Sequence, residues 1–233
     1  MFDKYSISVI IPVYNEEESI NKSFSLIYSF LERNFEEFEI IIVESGSTDN
    51  SPEFCEKIAA KTKNIFVYHE EARNGFGAAL KVGFKHSTKD LVWIVTTDFP
   101  FPIESISQAI PLLEDFDCIL SYRSLDKRKN LYRKFQSLVY NHLVKWYLGL
   151  KFTQINSAFK LYKREVIQGM NLYSNGWFID AEILYNIQMG NIKYKEIPVP
   201  LINRIIGKSS VDFRAPFSII KEMINFKQKL KTN

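Results

Sequence analysis

Short apolar runs alternate along this chain with longer stretches whose apolar positions recur at helical spacing. Residues 8–12 (SVIIP), 38–43 (FEIIIV) and 91–95 (LVWIV) are nearly continuous apolar runs rich in β-branched side chains, as expected of strands covered on both faces. Shorter runs at 65–68, 118–121 and 158–162 predict three more strands. Helices are predicted over 17–32, 51–61, 74–85, 103–113, 132–148 and 180–189, with a final amphipathic, basic helix over 216–231. Glu16, Glu17 and Glu18 would complement the dipole of the first helix. Residues 194–198 read as an edge strand, because Pro198 and Pro200 have no N–H to give to a ladder. Strands and helices alternating in this way imply right-handed βαβ units and an α/β fold with a mostly parallel sheet flanked by helices.

Ligands of open α/β sheets bind outside the carboxyl ends of the strands, so the polar residues that follow each run are the candidates for chemistry. The run at 91–95 ends in Thr96, Thr97 and Asp98, and Pro100 and Pro102 then turn the chain off the sheet. Asp98 is therefore the first candidate for a working residue, with a capping or turn aspartate as the alternative. Glu44 ends the run at 38–43 and Arg73 precedes Asn74-Gly75-Phe76-Gly77, so Glu44, Arg73 and Asp98 should converge on one sheet edge. Gly75 and Gly77 would let a neighbour or ligand approach closely, and the helix start there would offer N–H groups to an anion. Such an edge suits a nucleotide diphosphate compound. A lone aspartate could hold Mg²⁺ or Mn²⁺ there with phosphate oxygens and water completing the shell.

Composition narrows the field. At 233 residues, 46% hydrophobic and 24% charged, the chain falls in the globular range and suits one α/β domain, alone or with a small appendage. A net charge of +3 is too small to argue for nucleic acid. The positive residues are nevertheless clustered: Arg123, Lys127, Arg128, Lys129, Arg133 and Lys134 precede an apolar stripe of Phe135, Leu138, Val139, His142, Leu143 and Trp146. That pattern fits a solvated basic face over a core-packed helix, or a contact with an anionic membrane surface. No segment approaches the roughly 18 apolar residues of a membrane span, and the start MFDKYS is too polar for a signal peptide, so a cytosolic protein is expected. Cys55 and Cys118 have no ligand spacing and read as inert thiols in a reducing compartment. His69, His86 and His142 read as isolated surface or packing residues.

Seven ordered blocks carry a family resemblance: SVIIPVYNEEESI, EIIIVESGSTDNS, ARNGFGAALKVGF, LVWIVTTDFPFPIE, SAFKLYKREV, WFIDAEIL and EIPVPLINRIIGKSS. Together, from about Ile7 to Val211, they resemble the family 2 glycosyltransferases of GT-A (Rossmann-like) fold, and within them most closely the dolichyl-phosphate or polyprenyl-phosphate mannosyl- and glucosyltransferases. The resemblance implies a single domain with a nucleotide-binding half over about 1–121 and an acceptor-binding half over about 122–233. It implies inverting transfer of a hexose from GDP-mannose or UDP-glucose to a lipid phosphate, with Mg²⁺ or Mn²⁺, on the cytosolic face of a membrane. By position, Pro12, Tyr14 and Glu16 would surround the base, Glu44 would contact base or ribose, and Asp98 would be the metal ligand. Ser45, Arg73, Thr96 and Thr97 fall on the same donor side. Arg123, Arg133 and Ser137 would hold the acceptor phosphate, Arg204 and Lys208 would close over the diphosphate, and Asp180 and Glu182 would flank the sugar. A membrane-anchoring subunit is a further partner that the family allows.

The departures are specific. Glu44-Ser45-Gly46-Ser47 stands where the family shows Asp-Asp-Gly-Ser, and Thr96-Thr97-Asp98 where it shows Asp-Ala-Asp. Pro100 replaces a common metal-contacting glutamine, and Gln154 a common aspartate. Losing the first carboxylate should weaken metal affinity or alter the donor, although a hydroxyl still donates and accepts. An acceptor phosphate needs no general base, whereas a glycan hydroxyl would need one, and Asp180 or Glu182 would supply it. A third expectation is a catalytically weakened GT-A domain that binds or regulates.

Overall fold

The apolar runs become the middle of a sheet. A computed structural model describes residues 2–98, 100–126, 131–201 and 215–232. Its strands are β1 (Ile7–Val13), β2 (Phe38–Glu44), β3 (Ile65–His69), β4 (Leu91–Ile94), β5 (Cys118–Asp126), β6 (Lys160–Lys163) and β7 (Tyr194–Leu201). They lie in the order β3-β2-β1-β4-β6-β5-β7, with β7 at the edge as its prolines require. All neighbours run parallel except that β6 is antiparallel to both β4 and β5. Residues just before β6 therefore reach the edge at which the other strands end.

The helices are α1 (Ile20–Asn34), α2 (Ser51–Ala59), α3 (Phe76–His86), α4 (Ser105–Ala109), α5 (Leu131–Leu148), α6 (Arg164–Gln168), α7 (Ile179–Met189) and α8 (Ala215–Thr232). Side chains of a strand alternate between its faces. Ile7, Val9, Ile11 and Val13 of β1 accordingly meet Ile27 and Leu31 of α1 and Cys55 and Ile58 of α2 in one core, while Ile10 joins Leu80 and Phe84 of α3 and Ile183 of α7 in a second. The terminal helix buries Met223 and Phe226, and Phe226 packs on Phe178 and Tyr185 at ring distances of 5.7 and 5.3 Å. Its Glu222 carboxylate accepts the backbone N–H groups of Gly176 and Phe178 at 2.7 and 3.3 Å, just ahead of α7.

Several elements differ in extent from the sequence reading. The helix expected over 17–32 starts at Ile20, because the backbone N–H groups of Glu16 and Glu17 and the Glu17 side chain are taken up by residues 49–51. The helix expected over 103–113 is α4 followed by a tighter turn over Ile110–Glu114, since Pro111 removes an N–H and crowds the preceding turn. Strand β5 runs five residues past the predicted 121, paired along its length with β7.

Gly75 and Gly77 let a neighbouring backbone approach closely. A Cβ on Gly75 would sit 2.4 Å from the carbonyl oxygen of Asn175, and one on Gly77 would sit 2.8 Å from that of Ser174. The Ala78 N–H, in the first turn of α3, donates to the Asn175 carbonyl at 3.0 Å. Gly75 also has φ of +107°. Gly75→Ala is expected to destabilise the fold by about 2 kcal/mol, through strain at that backbone angle and the clash with Asn175. Calorimetry should then record a Tm lower by roughly 4–8 °C.

Candidate active site

The loops that follow β1 and β2 form one polar unit. Gly46, with φ of +64°, makes the turn that brings Glu44 Oε1 onto the backbone N–H of Ser47 at 2.6 Å. Ser47 Oγ then accepts the N–H of Asn15 at 3.0 Å, and Asn15 Oδ1 accepts that of Thr48 at 2.8 Å. Ser51 Oγ accepts the Glu16 N–H at 2.8 Å, while Glu17 Oε2 accepts the Asn50 N–H at 3.0 Å. Side chains thus replace helix hydrogen bonds at the start of α1. Glu16 Oε2 accepts the Ser19 hydroxyl at 2.6 Å, and Ser45 Oγ donates to Glu70 at 2.7 Å. The Arg73 guanidinium lies 4.1 Å from the centre of the Tyr14 ring, so these two donor-side candidates meet as a cation–π pair. Pro12 lies on β1 opposite Val43.

The sheet register sets Glu44 beside His69. Glu44 is only 2% exposed. Burial alone would raise its pKa, but bonds from His69 and Ser47 outweigh it and hold the carboxyl below its ordinary range. His69 Nδ1 lies 3.0 Å from Glu44 Oε2 and its Nε2 lies 2.8 Å from Glu56 Oε1. These two carboxylates, Glu44 first, raise the imidazole pKa against burial. The sequence reading of His69 as isolated is corrected here. Glu44 and Glu56 are 25 and 13 positions away, and parallel pairing plus the approach of α2 brings them together.

Asp98, at the end of β4, is partly buried. Its Oδ1 accepts the Thr96 hydroxyl at 2.5 Å, so the side chain that stands in for the first family carboxylate orients the second. The Thr97 carbonyl accepts the Ser23 hydroxyl of α1. Among the described residues no three acidic, histidine or cysteine side chains cluster tightly enough to cage a metal ion. A single partly buried carboxylate fits a divalent cation only when diphosphate oxygens and water complete its shell, which is the ordinary manner for Mg²⁺.

At the other side of the same edge, Arg123 Nη1 donates to Ser137 Oγ of α5 at 3.0 Å, and its backbone N–H donates to Gln154 Oε1 at 3.0 Å. Arg123, Lys134, Ser137, Asn141, Lys145 and Gln154 line a hollow of about 370 Å³. Asp180 is buried in an ion pair with Lys160 at 2.6 Å; burial raises its pKa while the ammonium opposes that shift. Glu182 has 0% exposure, and its two oxygens accept the N–H groups of Tyr173 and Ser174 at 2.7 and 2.8 Å. The side chain of Arg133, and Arg204 and Lys208 altogether, lie outside the described residues.

Residues 8–179 match the family model for glycosyl transferase family 2. The chain belongs to that family. Among curated proteins this family member is similar to glycosyltransferase AglD of Haloferax volcanii, at 27% identity over 202 residues. The match takes in 83% of this chain and 32% of the relative, so the chain spans about a third of that protein's length. It is similar in structure to glucosyl-3-phosphoglycerate synthase from Mycobacterium tuberculosis in complex with Mn²⁺, UDP and phosphoglyceric acid. There the TM-score is 0.67 at 19% identity, over 94% of this chain and 76% of the other. A mannosyltransferase from Pyrobaculum calidifontis in complex with GDP-Man and Mn²⁺ gives 0.64 at 19% identity, over 88% and 58%. These likenesses carry the fold. The seven-stranded, mostly parallel sheet of this family member is the GT-A sheet.

Proposed function

We propose that the chain moves a hexose with inversion from a nucleotide sugar, GDP-mannose or UDP-glucose, to a polyprenyl or dolichyl phosphate on the cytosolic face of a membrane. The observation that carries this reading is the meeting of a cationic hollow with an apolar stripe. Beside Arg123, Lys134 and Ser137, helix α5 presents a shallow groove of about 500 Å³ lined by Leu138, Val139, His142, Leu143 and Trp146. Trp146 is 76% exposed, Leu138 69% and Phe135 64%, an uncovered apolar surface of the kind that marks an interaction site. A phosphate in the hollow with its hydrocarbon chain along the groove uses both. Among the described residues no helix is long and apolar enough to cross a membrane.

In this reading Tyr14, Arg73 and the 44–51 loop face the nucleotide, and Arg204 and Lys208 meet the diphosphate. Asp98 would hold Mg²⁺ or Mn²⁺, whose charge offsets that developing on the leaving diphosphate. Arg123 and Ser137, with Arg133, align the acceptor phosphate, already an anion at neutral pH, against the anomeric carbon. Attack needs no proton removed. Accordingly Glu182 is wholly buried with each oxygen accepting a backbone N–H, and Asp180 is tied to Lys160. Both serve here as positioning residues, whereas a glycan hydroxyl acceptor would need one of them released as a base.

The test supplies labelled GDP-mannose or UDP-glucose with anionic vesicles containing polyprenyl phosphate. Label should pass to the lipid. The Leu138→Ser/Trp146→Ser variant should lower transfer into vesicles by roughly tenfold or more, since two exposed apolar anchors are lost, without lowering Tm. Label passing instead to a soluble glycan, with polyprenyl phosphate inert, would replace this reading by the glycan-directed one. Nucleotide binding without turnover on any acceptor would leave a binding module.

A further inference from the structure

We infer that His69 is a positioning residue of the donor site: as an imidazolium it holds Glu44, and through Glu44 the 44–51 loop, so that donor affinity weakens when it loses its proton. The inference rests on the donor site proposed above and adds to it a residue and a pH dependence.

Both imidazole nitrogens lie within hydrogen-bond reach of a carboxylate, Nδ1 at 3.0 Å from Glu44 and Nε2 at 2.8 Å from Glu56. A neutral imidazole has one N–H, so one of those contacts would set a lone pair against a carboxylate oxygen. Only the imidazolium donates to both. Glu44 is nearly inaccessible and has its other oxygen on the Ser47 N–H at 2.6 Å, and the Ser47 hydroxyl accepts the Asn15 N–H at 3.0 Å. A change at His69 therefore reaches both loops of the donor edge through three hydrogen bonds.

The charged and titratable groups around this cluster are few. Glu44 comes from β2 and Glu56 from α2. Cys55, also on α2, has its thiol pushed up to about 12, chiefly by burial, and stays neutral. Asp49 is held by the Ser51 N–H at 2.9 Å, and Glu70, next in sequence, accepts from Ser45 at 2.7 Å. The sign follows from the shifts. With the His69 pKa raised on folding, the bridge is intact below the ordinary imidazole value and is lost as pH rises through the folded one; Glu44, shifted down, stays ionised across that range.

The test combines NMR of the imidazole nitrogens and of the Ser47 amide with donor kinetics across pH. His69 should titrate above the ordinary imidazole value, and the Ser47 amide resonance should move with the same inflection. Glu56→Gln should shift that inflection down, and His69→Gln should abolish it. The donor KM should rise roughly fivefold across it with kcat unchanged, the effect of one charge-assisted bond at a partly exposed site. A His69 that titrates at or below the ordinary value, or a Ser47 amide blind to it, overturns the inference. Sugar transfer with a flat KM overturns it too, and leaves the proposed function standing. Failure to bind any GDP- or UDP-sugar would sink the donor site and the inference together.

Discussion

Asp98→Ala is expected to lower sugar transfer by roughly 10²–10³-fold, the loss seen when one group that stabilises developing charge is removed. Two features make this side chain sensitive. It follows the central strand β4 at the edge where β1, β2 and β3 also end, and the Thr96 hydroxyl fixes one of its oxygens at 2.5 Å. With threonine at the position of the family's first carboxylate, no second acidic group in that motif shares the load. Asp98→Asn keeps the shape and can still accept from Thr96, so it isolates the charge: it should lose most of the activity that alanine loses. Thr96→Val removes only the orienting hydroxyl and should have a smaller effect. Initial rates with labelled donor measure all three, and unchanged melting temperatures establish that each variant folds. An Asp98→Asn enzyme with wild-type turnover would take the charge out of the mechanism.

Period and composition were enough to read the sheet because β1, β2 and β4 are buried on both faces, which favours nearly continuous apolar runs. The antiparallel course of β6 was not legible, since Lys160–Lys163 carries nothing local that distinguishes direction. Glu44, Arg73 and Asp98 could be assigned to one edge from their places after strands. Their partners could not. His69 looked solitary because its carboxylates are supplied by β2 and α2, and the cation that meets Asp180 is Lys160 of β6, 20 positions away. Hydrogen bonds across such separations follow from register and packing, which a single sequence specifies only through the whole fold. Gly75 and Gly77, at the start of α3, had a local signal, a need for close approach, but nothing in the sequence told whether a ligand or the Ser174–Asn175 backbone would use it.

Lys160→Met is expected to destabilise the protein by about 3–5 kcal/mol, because it leaves the Asp180 carboxylate buried without its cation. In a chain of this size that corresponds to a Tm lower by roughly 6–20 °C. Both side chains of the pair are under 10% exposed, so solvent does little to screen the loss. The pH dependence is characteristic. Burial holds the Asp180 pKa above its unfolded value, and removing Lys160 takes away the one influence that opposes that shift. The Lys160→Met deficit should therefore shrink on acidification, as the carboxyl takes up a proton, and grow to its full size as pH rises. Lys160→Met/Asp180→Leu removes both charges and should recover most of the stability, since an apolar pair of similar volume replaces a buried ion pair at little cost. Sugar transfer by that double variant then separates two roles. A stable protein that has lost transfer places the pair in the working geometry of the site, whereas a stable and active one confines it to holding β6 against α7.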